Sequence, residues 1–189
     1  MVDVGGDAVT ADLDTIDGTF NSVFGISFYA LSITLLYGDQ MIVGYVKNLA
    51  NGETFTAIRG EGACLNGNPI QVSTETMLDH SVMSVYAKKF DMTRMMQLGQ
   101  KIRRWSLLGA SALELCYVAC GWLDRFVDML GTLRVTDAAA GILICQEAGD
   151  RVSLPAGSLV TFPDNVVSSR CLVETNRVIH RKVVEYLRL

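Results

Sequence analysis

The stretch DLDTIDGTFN, from Asp12 to Asn21, places three acids within six residues and follows them directly with Gly-Thr. Ionised carboxylates this close together repel one another, and they are costly to bury unless a positive charge lies among them. Apolar residues bound the stretch on both sides, which argues against a long solvated acidic tail. Two interpretations remain: a polar turn with its acids in water, or a site for hard cations.

The residues around this stretch predict a strand that ends in a turn. Val9 to Leu13 favours a strand, which places Asp14 at its end and Asp17 in the following turn. Gly18 lets a ligand approach the backbone closely, and Thr19 adds a hydroxyl next to backbone amides that can meet an anion. Carboxylates and phosphate oxygens are the ligands that Mg²⁺ prefers. The pattern therefore suits a metal-dependent phosphate site, but by itself it is equally typical of an ordinary turn.

A further acid stands in the stretch LRVTDAAAGILICQEAGD, at the start of a predicted apolar helix. Asp137 directly follows Thr136, a place where a lone Asp usually caps the helix or balances its dipole. Taken alone, this pattern favours capping over metal binding.

The composition is that of a globular domain. Of the 189 residues, 50% are hydrophobic and 19% are charged, which supplies a packed core and argues against global disorder. The net charge of −4 argues against a nucleic acid partner, because phosphate backbones attract a basic face. We expect one domain over residues 1–189 and no nucleic acid partner.

The cysteines are odd in number and lie mostly inside apolar runs: Cys64, Cys116, Cys120, Cys145 and Cys171. Buried thiols are the preferred interpretation over a metal site, since no second Cys or His pair has zinc-like spacing. Free thiols predict a reducing compartment. The first residues lack the basic and apolar segments of a signal peptide, and the apolar run from Val23 to Tyr37 is too short to span a bilayer. We therefore expect a cytoplasmic protein with no membrane partner.

The pattern of elements changes character about a third of the way along the chain. The first part, with a strong hairpin signal at Asn51-Gly52, predicts an antiparallel meander with strands at Ile26–Leu36, Met41–Lys47, Glu53–Arg59, Ala63–Leu65 and Ile70–Val72. The second part predicts strands at Val82–Tyr86, Asp124–Met129 and Leu172–Glu174. Among them it predicts a loop at Val160–Val167 and helices at Asp91–Arg103, before Gly121, at Asp137–Ala148 and at Asn176–Leu187. The mixture indicates an α/β or α+β fold with layered sheets.

Three motifs resemble, in order, those of the inositol monophosphatase family of Mg²⁺-dependent phosphatases: DTIDGTFN, GASALELCYVACGWLDRFVD and RVTDAAAGILICQEAGD. The intervening GETFTAIRGEGACLNGNPIQVS resembles the family's hairpin region, so the likeness covers nearly the whole chain. The archaeal branch, which acts on inositol monophosphate and fructose 1,6-bisphosphate, is the most similar. The resemblance implies a layered α-β-α-β-α sandwich, a homodimer or higher homo-oligomer, two or three Mg²⁺ ions and inhibition by lithium.

The resemblance also implies the metal ligands. Asp14 would bridge two ions, the Ile16 carbonyl would bind one of them, and Asp17 would bind the second. Asp137 would complete the second site, and the residues counted as catalytic are Asp14, Asp17, Thr19 and Asp137. We therefore expect the three acids to converge on one site despite their separation in the sequence.

The residues implied to bind substrate are Gly18, Thr19, Gly109, Ala110, Ser111, Asp128 and Arg134. Gly18 and Thr19 would hold the phosphate through their amides, with the Thr19 hydroxyl orienting an attacking water. Asp128 stands where the family has a carboxylate that contacts substrate hydroxyls. Arg134 suits a sugar phosphate because a guanidinium fork matches phosphate oxygens, and a surface salt bridge is the equal alternative. The implied reaction is direct, metal-assisted transfer of the phosphoryl group to water.

The sequence departs from the family's pattern in two places. Thr15 stands where the family usually has proline, which loosens the turn but removes no ligand. Family members also carry an N-terminal helical segment and hairpin with a Glu-Glu motif that supplies a metal ligand, whereas the first Glu here is Glu53. We therefore expect an N-terminally truncated form of the fold.

Three functions remain open from the sequence. The first is a Mg²⁺-dependent phosphatase of inositol 1-phosphate, fructose 1,6-bisphosphate or both. The second is a non-catalytic subunit that binds metal or phosphate, or an inactive truncated product. A nucleotide 3'-phosphatase of the same fold is a variant of the first. The third is a structural interaction protein without a site, which would have no use for Asp14, Asp17 and Asp137 together.

Overall fold

The computed structural model describes residues 3–4, 7–86, 92–154, 158, 160, 168–174 and 183. Most of the predicted loop at Val160–Val167 and of the predicted closing helix at Asn176–Leu187 lies outside the described residues. Within the described part of the chain, each helix is too short or too polar to cross a lipid bilayer.

The first sheet is an antiparallel meander of seven strands in sequence order, which confirms the prediction. Its strands are β1 (Asp3–Val4), β2 (Asp7–Asp17), β3 (Ala30–Tyr37), β4 (Gln40–Asn48), β5 (Thr54–Ile58), β6 (Gly62–Leu65) and β7 (Asn68–Pro69). A short helix, α1 (Thr19–Val23), joins β2 to β3. Its presence explains why β3 begins at Ala30 rather than at Ile26. The chain leaves α1 through a turn in which the Ile26 amide donates to the Asn21 carbonyl at 2.8 Å.

The predicted strand at Ile70–Val72 is wrong. Pairing in β7 ends at Pro69, and only the Ile70 amide continues toward β6, donating to the Ala63 carbonyl at 3.0 Å. The Val72 amide instead donates to the Ala148 carbonyl at 3.3 Å, just beyond the last helix described below. A tertiary contact therefore takes the hydrogen bond that a further strand would have used.

The second sheet has five strands and mixed directions. Its strands are β8 (Val82–Tyr86), β9 (Arg104–Ser106), β10 (Arg125–Arg134), β11 (Arg151–Ser153) and β12 (Ser168–Glu174), in the spatial order β11-β12-β10-β8-β9. β8 runs parallel to β9 and β10, whereas β12 runs antiparallel to β10 and β11. The helices are α2 (Met92–Gly99), α3 (Ser111–Ala119) and α4 (Val135–Glu147), and a 3₁₀ turn spans Leu78–His80.

Helices α3 and α4 form a layer between the two sheets. α4 packs on strands of both, and α3 packs on α4, β4 and β10. The main core joins residues of all these elements, including Phe55, Leu115, Phe126 and Ile142. A second cluster, with Met83, Val127 and Leu98, lies between the other face of the second sheet and α2. The described residues therefore form sheet, helix, sheet and helix layers of an α+β sandwich, as the sequence predicts.

Three of the described cysteine side chains are free thiols, as expected: Cys64, Cys116 and Cys120. The Cys120 thiol donates to the Cys116 carbonyl at 3.0 Å, and the Cys145 thiol donates to the Leu115 carbonyl at the same distance. Burial raises the pKa of the Cys116 thiol well above its ordinary value. Cys116 is therefore an inert core residue and a poor nucleophile.

The close packing of α3 on α4 depends on Gly141. A Cβ atom added there would lie 2.7 Å from the Leu115 Cβ and 2.9 Å from its Cδ1. We expect Gly141→Ala to lower the free energy of unfolding by about 1–3 kcal/mol, because overpacking outweighs the higher helix propensity of alanine. Denaturant unfolding measures the effect. An unchanged or higher stability would show that the two helices separate without cost.

A candidate metal and phosphate site

Three acids from distant parts of the chain meet at one edge of the sandwich, as expected. Asp14 and Asp17 lie near the end of β2, and Asp137 lies in the first turn of α4. One carboxylate oxygen from each lies within 4.8 Å of those of the other two. No other group of this kind with three or more His, Cys, Asp or Glu side chains occurs among the described residues.

An irregularity in β2 accounts for the position of the two strand acids. Residues three apart on a regular strand point to opposite faces of the sheet. Asp14 pairs with Ser32 and Asp17 pairs with Ala30. Between these two pairs, β2 therefore contains one residue more than β3. Such a bulge brings both carboxylates to the same side. The prediction that Asp17 lies in the turn after the strand is wrong, because the strand continues to Asp17 through the bulge.

Asp17 is almost fully buried, with 7% of its surface exposed. Its Oδ2 accepts a hydrogen bond of 2.7 Å from the Ala112 amide, in the first turn of α3. Burial is the largest effect on this carboxyl, and the charges of Asp137 and Asp14 add to it, so that its pKa rises to about 8. The pKa of Asp14 is also raised, first by burial. The protonated form of the Asp17 carboxyl is therefore favoured relative to that of an exposed aspartate.

Arg134 supplies a positive charge beside two of these acids. It is the last residue of β10, and its Nη2 lies 3.1 Å from Asp14 Oδ2 and 2.8 Å from Asp137 Oδ1. Its Nε donates to Asp137 Oδ2 at 3.0 Å, which makes the pair with Asp137 bidentate. Arg134 is the N-cap residue of α4, and no side-chain bond caps this helix. The capping interpretation of Asp137 is therefore wrong. Arg134 does form a salt bridge, and its contact with a sugar phosphate stays a prediction.

The donor set fits a hard divalent cation. Three carboxylates within reach of one another supply the oxygen ligands that Mg²⁺ or Mn²⁺ accepts, and the described part of the site offers no sulfur or imidazole. The Arg134 guanidinium lies beside two of the three acids, so its positive charge offsets part of theirs.

Replacing Arg134 is expected to tighten cation binding. In Arg134→Gln the cation no longer competes with the guanidinium for Asp14 and Asp137, and it no longer meets a positive neighbour. Because 57% of the Arg134 side chain is exposed, solvent screens the effect, and we expect the dissociation constant for Mg²⁺ to fall about three- to tenfold. Calorimetric titration without phosphate measures it, with Arg59→Gln as the control. Weaker binding in Arg134→Gln would show that the guanidinium supports the ion.

Gly18 and Thr19 follow the acids and open α1. Gly18 has φ 85°, and a Cβ atom there would lie 2.9 Å from the Ala110 Cβ and 3.0 Å from the Phe28 carbonyl oxygen. The Thr19 hydroxyl donates to the Ile16 carbonyl at 2.9 Å. The resemblance assigns the Ile16 carbonyl to a metal ion and the Thr19 hydroxyl to an attacking water. The structure places these two groups next to each other.

The predicted substrate-side loop lies directly against Gly18. Gly109, with φ 89°, and Ala110 precede α3, and Ser111 is its first residue. Asn21, in α1, donates from its Nδ2 to the Leu108 carbonyl at 2.7 Å. The structure therefore brings the two predicted binding segments together.

Asp128 is placed differently from the other predicted contacts. It lies within β10 with 1% of its surface exposed, and its Oδ1 accepts the Leu130 amide at 3.1 Å. A carboxylate this deeply buried presents little surface to a substrate. Its contact with substrate hydroxyls stays a prediction.

Two polar residues near the site were not singled out from the sequence. Asn21 closes the stretch DLDTIDGTFN, and Glu114 is the one acid within the apolar helix α3. Both are buried, at 4% and 0% exposure. A charged residue in an otherwise apolar helical run was the signal for Glu114, because such a group is buried only with partners.

The fold and the site define a layered α+β protein with a cluster of three acids, Asp14, Asp17 and Asp137, that could hold a cation beside a glycine turn. Residues 2–188 match the profile of the inositol monophosphatase family, and the chain belongs to this family.

A fructose-1,6-bisphosphatase/inositol-1-monophosphatase of Methanothermobacter thermautotrophicus is 34% identical over 185 residues, which cover 93% of this chain and 66% of that protein. A bifunctional NADP phosphatase/NAD kinase of Methanococcus maripaludis is 32% identical over 193 residues, covering 91% of this chain and 34% of the relative. The chain thus spans just under two thirds of the first relative and about a third of the second.

Solved structures show the same fold. A Pyrococcus horikoshii protein described as having similarities to inositol-1 monophosphatase superposes with a TM-score of 0.86 and 31% identity. The superposition covers 96% of this chain and 71% of that one.

Proposed function

We propose that this chain carries the site of a Mg²⁺-dependent phosphatase that hydrolyses phosphate monoesters of inositol, fructose 1,6-bisphosphate or both. The observation that carries the proposal is the convergence of Asp14, Asp17 and Asp137 within 4.8 Å, directly before the turn at Gly18, whose backbone has φ 85°. Membership of the inositol monophosphatase family supports it.

The three acids would hold two or three Mg²⁺ ions, together with the Ile16 carbonyl. When bound, the ions neutralise charge that develops on phosphate oxygens and lower the pKa of a water. The burial of Asp17 limits its contacts with bulk water, and the Ala112 amide orients its carboxylate. These features position the ligand before substrate arrives.

The chain's own groups would bind the phosphate and orient water. The Thr19 hydroxyl donates a hydrogen bond to the Ile16 carbonyl, so its oxygen can still accept a hydrogen bond from an attacking water. The Gly18 and Thr19 amides would hold phosphate oxygens. Gly109, Ala110, Ser111 and Asp128 would contact the rest of the substrate.

A second candidate substrate is NADP. Relatives named bifunctional NADP phosphatase/NAD kinase match most of this chain in both Methanococcus maripaludis and Methanocaldococcus jannaschii. Arg134 is half exposed at the rim of the site, where its guanidinium would meet a second phosphate of either fructose 1,6-bisphosphate or NADP.

Phosphate release from inositol 1-phosphate, fructose 1,6-bisphosphate, NADP and a nucleoside 3'-phosphate, with and without Mg²⁺, tests the proposal. Asp14→Asn is expected to reduce the rate about a hundredfold or more, because it removes a ligand charge. Asp12→Asn, which makes the same change two residues earlier on the same face of β2, is the matched control and should stay active.

The other outcomes of this experiment are equally informative. Equal loss in Asp12→Asn and Asp14→Asn, or release that persists after chelation of Mg²⁺, would contradict the proposal. Binding of Mg²⁺ and phosphate without any release would identify a non-catalytic binding subunit or an inactive product.

We further propose that residues 1–189 form one domain of a cytoplasmic homodimer or higher homo-oligomer. The partners would be small phosphorylated substrates rather than nucleic acid or membrane, and lithium would inhibit the enzyme. Several large apolar side chains are exposed around α1, among them Phe20, Val23 and Phe24 at 67–73%. Exposed apolar surface of this kind favours association.

A further inference from the structure

Glu114 is a fully buried acid to which none of the roles above applies. Its Oε1 accepts hydrogen bonds from the Leu108 amide and from the Gly109 amide, the latter at 3.1 Å. Its Oε2 accepts the Ser84 hydroxyl at 2.6 Å. An acid in the first turn of a helix that takes the amides preceding the helix resembles a capping box, and it is favoured further by the helix dipole.

Asn21 binds the same loop from the opposite side. Its Nδ2 donates to the Leu108 carbonyl at 2.7 Å and to the Phe28 carbonyl at 2.8 Å. The amide and the carbonyl of Leu108 are therefore bound by two buried side chains, one from α3 and one from α1. We call Glu114 and Asn21 the loop clamp.

The loop held by the clamp touches both halves of the site. Ala110 lies so close to Gly18 that a Cβ atom on Gly18 would be 2.9 Å from the Ala110 Cβ. Two residues further along, the Ala112 amide binds Asp17. A shift of this loop would thus move the substrate-side residues Gly109 and Ala110 relative to the turn at Gly18 and Thr19.

We propose that the loop clamp positions Gly109–Ser111 against the Gly18–Thr19 turn and thereby sets the affinity for the phosphorylated substrate. Glu114 and Asn21 are positioning residues, since their side chains bind the loop and neighbouring protein groups. The proposal rests on the proposed function for the identity of the ligand. It concerns two residues outside the acidic cation site.

The chemistry of the clamp predicts which replacements preserve it. In Glu114→Gln one amide oxygen can still accept both loop amides, and the side-chain NH₂ can donate to the Ser84 oxygen. In Glu114→Ala two loop amides lose their partner. In Asn21→Ala the Leu108 carbonyl loses its donor. Rescue by glutamine therefore separates loop positioning from a need for negative charge.

Steady-state kinetics with inositol 1-phosphate, or with the best substrate found above, tests the clamp. We expect Glu114→Ala and Asn21→Ala each to raise KM about tenfold with little change in kcat, because ground-state binding is lost. The dissociation constant for Mg²⁺ should change less than about threefold, and Glu114→Gln should keep KM within about threefold of wild type. The double variant should raise KM less than the product of the single effects, since both side chains hold one peptide.

Hydrogen exchange and phosphate binding keep the test independent of turnover. The Leu108 and Gly109 amides should exchange at least about tenfold faster in Glu114→Ala than in wild type or Glu114→Gln, and inorganic phosphate should bind more weakly in the presence of Mg²⁺. If wild type releases no phosphate from any substrate, the proposed function fails while these two measurements still decide the clamp. Should Glu114→Ala not fold, Asn21→Ala gives the same decision.

Two results would overturn the proposal. One is unchanged KM, phosphate affinity and loop exchange in the alanine variants. The other is a glutamine variant as impaired as Glu114→Ala, which would make the charge of Glu114 rather than its hydrogen bonds the essential property.

Discussion

Asp17→Asn is expected to abolish phosphate release and, at the same time, to stabilise the metal-free protein. An amide keeps the shape of the carboxylate and can still accept the Ala112 hydrogen bond through its oxygen. It gives up the charge that holds the ions. Single electrostatic contributions of this kind are worth roughly 3–4 kcal/mol, so we expect a loss of about 10²–10³ in rate. Mg²⁺ binding measured by calorimetry should weaken in parallel.

The opposite effect on stability follows from the pKa of Asp17. It rises from 3.8 to about 8, chiefly because the carboxyl is buried. Between about pH 4 and pH 8 the folded metal-free protein therefore holds a proton that the unfolded chain has released. Its free energy of unfolding falls as pH rises through this window and levels off above about pH 8. Each pKa unit corresponds to roughly 1.4 kcal/mol, so Asp17→Asn should be more stable than wild type by a few kcal/mol at pH 8.

Denaturant unfolding in the presence of a chelator, at pH 5 and at pH 8, measures this difference. Comparing the variant with wild type isolates Asp17 from the other acids with raised pKa values, such as Asp14 and Glu114. Excess Mg²⁺ should reduce or reverse the difference in free energy of unfolding between the variant and wild type, because only wild type is stabilised by binding the ion. A variant less stable than wild type at pH 8 without metal would contradict the raised pKa.

Cys116→Ser is the control for the catalytic part of this prediction. Cys116 lies fully buried in α3 and takes no part in the proposed reaction. At the same Mg²⁺ concentration, it should retain phosphate release that Asp17→Asn loses. Loss of activity in the thiol variant together with survival in the Asp17 variant would reject a reaction that depends on metal.

Gly18→Ala is expected to cost both stability and activity. Its backbone has φ 85°, where an L side chain is strained, and its Cβ would meet Ala110 at 2.9 Å and the Phe28 carbonyl at 3.0 Å. We expect a loss of about 1–3 kcal/mol in the free energy of unfolding. Because relief of these contacts must move the turn or the Ala110 loop, we also expect kcat/KM to fall about tenfold or more.

Gly52→Ala is the matched control for this change. Gly52 has nearly the same backbone angle, φ 84°, yet its added Cβ would meet nothing within 4 Å. It lies in the turn between β4 and β5. The control carries the backbone strain without the crowding, so it should lose about 1 kcal/mol of stability and no activity. Equal losses of activity in both variants would show that general destabilisation, rather than a displaced Gly18–Thr19 turn, reduces the rate.

The local patterns of the sequence were sufficient for the elements whose signals are local. Turn residues such as Asn51-Gly52 separate apolar runs, so the meander follows from hairpins between neighbouring segments. The helix that begins at Val135 was predicted within two residues of its start. Its run of apolar residues lies in the layer between the sheets, where a helix that is apolar all round must lie. The motifs around Asp14, Asp17 and Asp137 likewise identify the family by residue type and order alone.

Where the local signals failed, hydrogen bonds between distant segments determined the structure. The predicted strand at Ile70–Val72 did not form, because the Val72 amide binds the Ala148 carbonyl 76 residues away. Arg134 pairs with Asp14 across 120 residues, so its position beside the acids depends on how the layers bring the end of β10 to the end of β2. No window of sequence contains such a pair.

The sequence by itself determined the family, the order of the meander and the three acids that can bind a cation, because each depends on residue type and short spacing. The tertiary structure decided how those residues act together. The bulge in β2 brings Asp14 and Asp17 to one side, since it adds a residue relative to β3. Packing of α3 brings the Ala112 amide to Asp17 and Glu114 to the loop before the helix. Burial then raises the pKa of Asp17, because the low-dielectric interior that penalises its charge exists only after the layers have packed.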